Sequence, residues 1–262
     1  MHFGMCMGID NPQNIKIAKD AGFDYVECGF GFLSQAEDSI FEKFRDELKQ
    51  NNIKCEAANC FLPADYVVIG QNYHSDKFTS FIEKGMKRGT EIGLEMIVFG
   101  SSIARSLPSS VSYIDGFSQL ADFLGNVVSP IAKKYGMTVV IEPLRKDECN
   151  MINTVKEGAL LAMTSGEDNI ACLADLYHME GVGDTVADIR QLRKSIRHAH
   201  FSNPESKKGL KRDFPKSLEE YDYKSFIEAL EFAGCERCSI EARCTDFSSE
   251  TVESGKLIAL LR

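Results

Sequence analysis

The chain has 262 residues, of which 44% are hydrophobic and 26% are charged, so it is long enough to bury the core of one α/β barrel. Its formal net charge of -9 argues against nucleic acid as the partner, because phosphate backbones are bound mainly by clustered lysines and arginines. No apolar run approaches the roughly 20 residues that span a bilayer, and no basic leader segment precedes the first strand, so we expect no membrane contact and a cytoplasmic location.

Strand-like and helix-like segments alternate along the whole chain. In chain order, the predicted strands are 3–7, 25–29, 54–59, 96–100, 138–142, 170–175, 197–201 and 238–242. Helical periodicity predicts the helices between and after them, at 14–21, 39–51, 75–92, 115–135, 154–164, 185–193, 223–233 and 250–261. Several of these helices end at a glycine just before a strand, as a left-handed helix cap requires.

Eight strand–helix units predict a closed parallel barrel. The predicted fold class is α/β, a (β/α)8 TIM barrel that forms a single domain over residues 1–262. An open, doubly wound sheet is the alternative, but no glycine-rich phosphate loop of the GxGxxG or Walker type follows the first strand. The longest loops, 62–73 and 203–221, should lie on the catalytic face of the barrel.

Four of the predicted strands run up to a side chain that can bind a metal ion: Glu142, Asp175, His200 and Glu241. Parallel strands bring their C-terminal ends to one face of a barrel, so these side chains should meet there. Three buried carboxylates are costly together unless a cation offsets their charge. The set predicts a divalent metal ion: Mn²⁺ or Mg²⁺ suits this ligation, and Co²⁺ and Zn²⁺ are alternatives. The opposing interpretation is that each is a strand-end polar group bonded to a loop.

Three further residues lie close to these ligand candidates or end a strand. His178 follows Asp175 by three residues and could donate a hydrogen bond to a substrate oxygen, or serve a capping role in a loop. His198 precedes His200 by two residues and should lie one layer deeper on the same strand face, which favours a satisfied core histidine. Glu27 ends the second strand, and its sequence context fits a substrate contact and a structural hydrogen bond equally well.

Four segments carry a resemblance to a known family: IEPL at 141–144, LADLYHM at 173–179, HAH at 198–200 and SIEA at 239–242. Through them the whole chain resembles the xylose-isomerase-like TIM barrel superfamily, and within it the ketose 3-epimerases of the D-tagatose 3-epimerase type and the hydroxypyruvate isomerases. The resemblance implies that Glu142, Asp175, His200 and Glu241 hold the metal. It also implies that Glu142 and Glu241 exchange the substrate proton, that Glu148 and His178 bind the sugar, and that the protein is a homo-oligomer, a dimer or tetramer.

The chemistry expected of these residue types is a proton transfer next to a sugar carbonyl. Removing a proton α to a carbonyl needs a base within about 3 Å and an electrophile for the enediolate oxygens. A metal ion supplies the electrophile, and two carboxylates on opposite faces can deprotonate and reprotonate the same carbon. We expect C3 epimerisation of a small ketose. Return of the proton to the neighbouring carbon would instead give an aldose–ketose isomerase, and the sequence leaves that choice open.

The loop after the seventh strand departs from the ketose 3-epimerase pattern. Those enzymes place a substrate-binding arginine six residues after the histidine ligand, where this chain has Ser206. We expect Arg212, from a longer loop, to bind the substrate instead. Lys207, Lys208 and Lys211 accompany it on an otherwise acidic protein, which leaves a phosphorylated sugar open against the alternative of a solvated basic loop.

Three other functions could be carried by the same barrel. A metal-dependent hydro-lyase of the inosose dehydratase type would use the same metal site but would expel a hydroxyl group. A non-catalytic sugar-binding protein is disfavoured because all four ligand candidates are intact. An abasic-site endonuclease requires more metal-binding histidines than the five in this chain, and a basic surface that faces DNA.

Overall fold

Eight parallel strands pair in chain order and close into one barrel in a computed structural model of the protein, which describes residues 1–71, 73–204 and 211–262. The closing pair joins the first and last strands, with Gly4 aligned to Ser239. The strands are β1 (His2–Cys6), β2 (Tyr25–Gly29), β3 (Lys54–Asn59), β4 (Met96–Phe99), β5 (Thr138–Ile141), β6 (Ile170–Asp175), β7 (Ile196–Phe201) and β8 (Arg237–Ile240). Each overlaps a predicted strand, and the predicted (β/α)8 barrel is confirmed.

Helices connect these strands and surround the barrel. In the described part of the chain they are α1 (Asn14–Asp20), α2 (Phe30–Gln35), α3 (Asp38–Gln50), α4 (Asp76–Ile92), α5 (Tyr113–Asp122), α6 (Ser129–Lys134), α7 (Val155–Ser165), α8 (Leu176–Val182), α9 (Val186–Leu192), α10 (Tyr223–Ala233) and α11 (Phe247–Leu261), with 3₁₀ turns at Ile103–Arg105 and Arg193–Ser195. Among the described residues, no helix combines the length and the apolar character needed to span a membrane.

The helix predicted over 115–135 is not a regular α-helix throughout. Between α5 and α6 the chain forms a π-helical segment at Phe123–Val128. Pro130 lies in the first turn of α6, and it has no backbone N–H to donate to the preceding turn. Its ring also excludes the carbonyl four residues earlier, so the wider π turn accommodates the proline without a break in the helical path.

Two short helices, α2 and α8, follow their strands directly and were not predicted. The backbone N–H of Tyr177 donates to Oδ1 of Asp175 at 2.8 Å, so the last residue of β6 is also the N-cap of α8. The sequence hides this change because the apolar run continues past Asp175 without a turn residue. As a result, His178 lies in the first turn of a helix at the mouth of the barrel.

The barrel interior changes from apolar to polar along the strands. An apolar cluster fills the deeper part of the interior and consists of Tyr25, Ala57, Met96, Val98, Val140, Ala171 and Leu173. Residues two positions apart on a strand share a face, so the next inward layer is found two residues later. That layer contains polar side chains on four of the same strands: Glu27, Asn59, Glu142 and Asp175. The fold therefore places a layer of polar side chains above an apolar interior, at the C-terminal end of the barrel.

Candidate active site

The four predicted metal ligands converge at the C-terminal ends of β5 to β8. Glu142 follows β5, Asp175 ends β6, His200 lies in β7 and Glu241 follows β8. One ligand atom of each side chain lies within 4.8 Å of the others. Glu142, Asp175 and His200 are buried, and Glu241 is partly exposed. The closed barrel thus brings together four residues that are spread over a hundred positions of the chain.

The imidazole of His200 faces the three carboxylates through Nδ1. This atom lies 2.9 Å from Glu241 Oε2, 3.4 Å from Glu142 Oε1 and 4.0 Å from Asp175 Oδ2. The other nitrogen, Nε2, lies 2.9 Å from Glu27 Oε1. Burial disfavours charge on the ring, but the surrounding carboxylates, Glu27 and Glu241 first among them, outweigh burial and raise the pKa of His200.

Backbone contacts fix the two most buried carboxylates. Asp175 uses Oδ1 to cap α8, which leaves Oδ2 facing the cluster. The N–H of Glu142 donates to the Phe99 carbonyl at 3.2 Å, and the Glu142 carbonyl accepts from Arg105 Nη2 at 2.5 Å. Space beside Glu142 depends on Gly100, because a Cβ there would lie 2.2 Å from Glu142 Oε2. These contacts hold the Asp175 carboxylate and the backbone of Glu142 before any ligand arrives.

The pKa values of the three carboxylates shift in different directions. Burial opposes the charge of Glu142, but His200 and His178 outweigh it and hold its pKa well below the usual range. Glu241 is shifted in the same direction, because Arg212 and His200 overcome its burial and lower its pKa. Burial instead raises the pKa of Asp175, although Arg212 favours its charged form. Glu142 and Glu241 are therefore ionised at neutral pH.

This donor set fits a divalent metal ion. Glu142, Asp175 and Glu241 offer carboxylate oxygens and His200 offers one nitrogen, within a shared span of 4.8 Å. Oxygen-rich ligation with one imidazole suits Mn²⁺ or Mg²⁺ and also accommodates Zn²⁺. A cation in this place would offset carboxylate charge that is costly to keep buried. The residues present thus have the chemistry and proximity that such an ion requires.

Arg212 reaches into the same cluster from the loop after β7. Its Nη2 donates to Asp175 Oδ2 and Glu241 Oε2, and its Nε donates to the Glu241 carbonyl at 3.0 Å. The guanidinium carbon lies 5.2 Å from the centre of the Tyr177 ring. Burial disfavours its charge, yet Asp175 and Glu241 raise the pKa of Arg212 above its usual range. Arg212 therefore contacts the oxygens that a metal ion would also use.

His178 lies beside these groups and is buried. Its Nδ1 accepts from the backbone N–H of Arg145 at 3.3 Å, which leaves the ring proton on Nε2. Arg212 Nη1, a second donor, lies 3.4 Å from the same Nε2. Nε2 lies 3.8 Å from Glu142 Oε1 and also 3.8 Å from Asp175 Oδ2. Burial lowers the pKa of His178 to about 4, so the ring is neutral at pH 7. A neutral imidazole with its N–H directed at the cluster can donate to a substrate oxygen.

A cavity of about 260 Å³ opens directly above the cluster. Its wall includes the predicted substrate-binding residues Glu148, His178 and Arg212 together with Glu142 and Glu241. Glu148 lies on the exposed rim, where partial burial raises its pKa. The cavity is somewhat smaller than the roughly 300–1,000 Å³ of sites for drug-sized ligands, which fits a small polar molecule.

Glu27 and His198 take structural positions beneath the cavity. Both side chains are 0% exposed, and His198 Nε2 lies 2.9 Å from Glu27 Oε2. Complete burial, away from the cavity wall, favours the structural hydrogen bond for Glu27 over the substrate contact. His198 lies one layer deeper than His200, as its spacing predicted, and it bonds to a core partner.

Two residues of the site were missed by the sequence analysis. Asn59 donates from Nδ2 to Glu241 Oε1 at 3.1 Å. It ends β3 just as the ligand candidates end their strands, so the same signal could have identified it. Arg105 is 0% exposed and supports Glu142 through the backbone. No local pattern indicates it, because a buried arginine in a short 3₁₀ turn looks like a surface residue in the sequence.

The basic loop after β7 is only partly described. The described residues do not include Ser206, the position where the ketose 3-epimerases have an arginine. They also do not include Lys207 and Lys208, which bear on the phosphorylated-sugar alternative. Lys211 is exposed, and its Nζ lies 3.9 Å from Asp213 Oδ2. Asp213 also pairs with Asn203 in a short antiparallel bridge, which sets the base of the loop from which Arg212 extends.

Comparisons with known proteins agree with this architecture. A family model described as a xylose isomerase-like TIM barrel matches residues 15–262. D-psicose 3-epimerase from Agrobacterium fabrum is 22% identical over 197 residues, which make up 72% of this chain and 66% of that protein. The aligned part of the chain thus spans just under two thirds of this relative's length.

Two solved structures illustrate the similarity in fold. A crystal structure of D-psicose 3-epimerase in the presence of D-fructose superposes with a TM-score of 0.80 at 16% identity, covering 99% of this chain and 98% of that chain. A crystal structure of IolI protein with a bound zinc atom gives a TM-score of 0.76 at 15% identity, covering 99% and 97%. At these identities, the likeness shows the shared fold.

Proposed function

Because the chain belongs to the xylose isomerase-like TIM barrel family, we propose that it is a divalent-metal-dependent sugar epimerase or isomerase. Its substrate is a small ketose, free or phosphorylated, and its reaction is a proton transfer through an enediolate intermediate. C3 epimerisation is the favoured outcome, in line with the 3-epimerase activity of the relative from Agrobacterium fabrum.

One observation carries this proposal: the cavity of about 260 Å³ is walled by two carboxylates of the candidate metal site, Glu142 and Glu241. These residues come from β5 and β8, so they approach the cavity from different parts of the barrel rim. A ligand in the cavity would therefore meet ionised carboxylates from two directions. That arrangement suits removal of a proton from one face of a carbon and its return on the other.

The metal ion would be held by Glu142, Asp175, His200 and Glu241, and we propose Mn²⁺, with Mg²⁺, Co²⁺ or Zn²⁺ as alternatives. When bound, such an ion supplies an electrophile that favours negative charge on neighbouring substrate oxygens. Among the ligands, Asp175 and His200 are nearly or fully inaccessible, so holding the ion is the role that their position allows.

Glu142 and Glu241 would move the proton. Both have lowered pKa values because positive neighbours outweigh their burial, so both are carboxylates at neutral pH. One accepts the proton next to the carbonyl, and the other, once protonated, can deliver a proton to the same carbon. For an aldose–ketose isomerisation, a single carboxylate would return the proton to the neighbouring carbon.

His178, Arg212 and Glu148 would bind the sugar around this pair. The Nε2–H of His178 can donate to the carbonyl or hydroxyl oxygen nearest the cluster. The guanidinium of Arg212 adds further donors, and the exposed Glu148 carboxylate can accept from a sugar hydroxyl at the rim. The chain thus offers donors deep in the cavity and an acceptor near its opening, as a polyhydroxylated substrate requires.

The proposal is tested by a product assay. Chelator-treated protein is incubated with a panel of free and phosphorylated ketoses, with and without each candidate metal, and products are separated by chromatography and weighed by mass spectrometry. We expect a metal-dependent product of unchanged mass. A product lighter by one water would instead establish a hydro-lyase. Sugar binding without turnover under any metal would contradict an enzyme and support the binding-protein alternative. Light scattering on the same sample measures whether the protein is the expected homo-oligomer.

A further inference from the structure

A fully buried carboxylate lies beneath the candidate metal site and has no role in the reaction proposed above. Glu27 is 0% exposed and projects from β2 into the barrel interior. Its Oε1 accepts from His200 Nε2 at 2.9 Å, and its Oε2 accepts from His198 Nε2 at 2.9 Å. In the closed barrel, β1 and β8 separate β2 from β7, so these bonds cross the interior and are no part of the sheet pairing.

Both oxygens of Glu27 are needed for this arrangement. A buried carboxylate without partners is costly, and two imidazole N–H groups offset that cost. A glutamine of the same size could accept through only one atom, and its amide N–H₂ would face the other histidine donor. The rings of His198 and His200 are also 0% exposed and lie 5.1 Å apart in an edge-on arrangement, which leaves them little room to turn.

The geometry of His200 connects this network to the candidate metal site. Its Nδ1 faces Glu142, Asp175 and Glu241, while its Nε2–H is taken by Glu27. With the Nε2 proton held in that bond, Nδ1 is the nitrogen that can offer a lone pair to a cation. A metal-bound imidazole commonly donates its other N–H to a carboxylate, which fixes its tautomer and orientation.

We infer that Glu27 is a positioning residue for His200: it holds the Nε2–H tautomer and directs Nδ1 into the metal site, and His198 in turn holds the Glu27 carboxylate in place. The inference rests on the metal-binding part of the proposed function, but not on the identity of the sugar or on the reaction. It assigns Glu27 a role in metal affinity, although Glu27 is not one of the four ligand candidates and does not line the cavity.

The first test replaces Glu27→Gln and compares it with Glu228→Gln, a control at an exposed position of α10. Titration calorimetry with Mn²⁺ and Zn²⁺ measures affinity, and thermal unfolding of the metal-free proteins measures folding. We expect Glu27→Gln to weaken metal binding by about 10- to 100-fold, while Glu228→Gln leaves it unchanged. Equal affinity in Glu27→Gln and wild type would overturn the inference.

A matched pair of variants at His198 provides a second test if Glu27→Gln does not fold. His198→Gln retains an N–H donor for Glu27 Oε2, whereas His198→Leu removes it at similar volume. We expect His198→Gln to bind metal nearly as wild type does and His198→Leu to bind several-fold more weakly. If both variants lose affinity equally, or neither does, His198 does not act through Glu27 and that part of the inference is wrong.

Histidine nitrogen NMR gives a readout that a purely structural role would not move. The chain has only five histidines, so selective ¹⁵N labelling resolves them. In the Zn²⁺-loaded wild type we expect His200 as the Nε2–H tautomer with Nδ1 metal-bound, and in Glu27→Gln a loss of that single state. If the wild type turns over a sugar but Glu27→Gln leaves metal affinity unchanged, this inference is wrong and the proposed reaction stands. Glu27-dependent metal binding without turnover would reject the proposed reaction alone.

Discussion

The strand-borne and the loop-borne parts of the candidate site are held in place by different means. Asp175 and His200 are buried on neighbouring strands and are aligned with each other in the β6–β7 register. Glu142 and Glu241 directly follow β5 and β8 and belong to the same strand-borne group. Arg212 and Glu148 come from loops, and Arg212 reaches the cluster through contacts of its long side chain. Parallel pairing fixes the first group, whereas loops can change without disturbing the strands. We therefore expect the strand-borne residues to set the chemistry and the loop-borne residues to set the choice of sugar.

The largest effect is expected at the strand-borne carboxylates that face the cavity. Glu241→Gln keeps the size of the side chain but removes its ability to accept a proton. We expect kcat at saturating metal to fall by roughly 10²- to 10⁴-fold, with Glu142→Gln behaving similarly. Steady-state assays after metal titration separate this loss from weaker metal binding. The exposed Glu228→Gln serves as the control, and a fall of less than about fivefold in both site variants would remove them from the chemical step.

The next effect tests how little displacement the strand-borne part tolerates. In Gly100→Ala, the new Cβ would lie 2.2 Å from Glu142 Oε2, so the carboxylate must move. Because a shift of about 1 Å at a reacting group can cost on the order of 100-fold in rate, we expect a 10- to 100-fold loss in kcat/KM. Gly8→Ala is the matched control, since its Cβ would meet only the exposed, flexible side chain of Asp10. Comparable activity in the two alanine variants would show that Glu142 is not held as tightly as described.

At Arg212 we expect two smaller effects in opposite directions, tighter metal binding and weaker sugar binding. Its guanidinium shares oxygens of Asp175 and Glu241 with the proposed cation, so Arg212→Gln should tighten metal binding by removing a competing positive charge. The same change should raise the KM for the sugar by roughly tenfold, because a charged hydrogen bond to the substrate is lost. Calorimetry and steady-state kinetics measure the two. Arg212→Lys keeps the charge but lacks the forked donor geometry, so we expect its metal affinity and its KM to lie between those of the wild type and Arg212→Gln. An unchanged KM would remove Arg212 from substrate binding.

The smallest effect is expected at the rim. Glu148 is exposed at the mouth of the cavity, and interactions between exposed charged groups are worth about 0–1 kcal/mol, a factor of roughly five at most. We expect Glu148→Gln to raise KM by no more than about fivefold with kcat unchanged. A loss of kcat as large as that of Glu241→Gln would break the division between the two parts of the site.

The same division explains how much of the site the sequence could reveal. Glu142, Asp175, His200 and Glu241 were identified because each closes a β-like run, and a closed barrel brings such positions to one face. For Glu27, His198 and His200, the sequence indicated the residues but not the hydrogen bonds between them, because Glu27 and His198 are 171 positions apart and meet only after the barrel closes. Arg105 and the helix at Leu176–Val182 carry no periodic pattern. The reach of Arg212 depends on loop conformation, which spacing alone does not encode.

The central claim is that Glu142 and Glu241 exchange a substrate proton in the presence of a divalent metal. The most direct measurement is incorporation of deuterium from D₂O into a panel of ketoses, followed by NMR with the Mn²⁺-treated protein, the chelated protein and the Glu241→Gln variant. The account predicts metal-dependent exchange at C3 of one ketose, or at C1 for an isomerase, that collapses in Glu241→Gln. Metal binding without exchange into any sugar, or exchange that survives in both Glu241→Gln and Glu142→Gln, would contradict it.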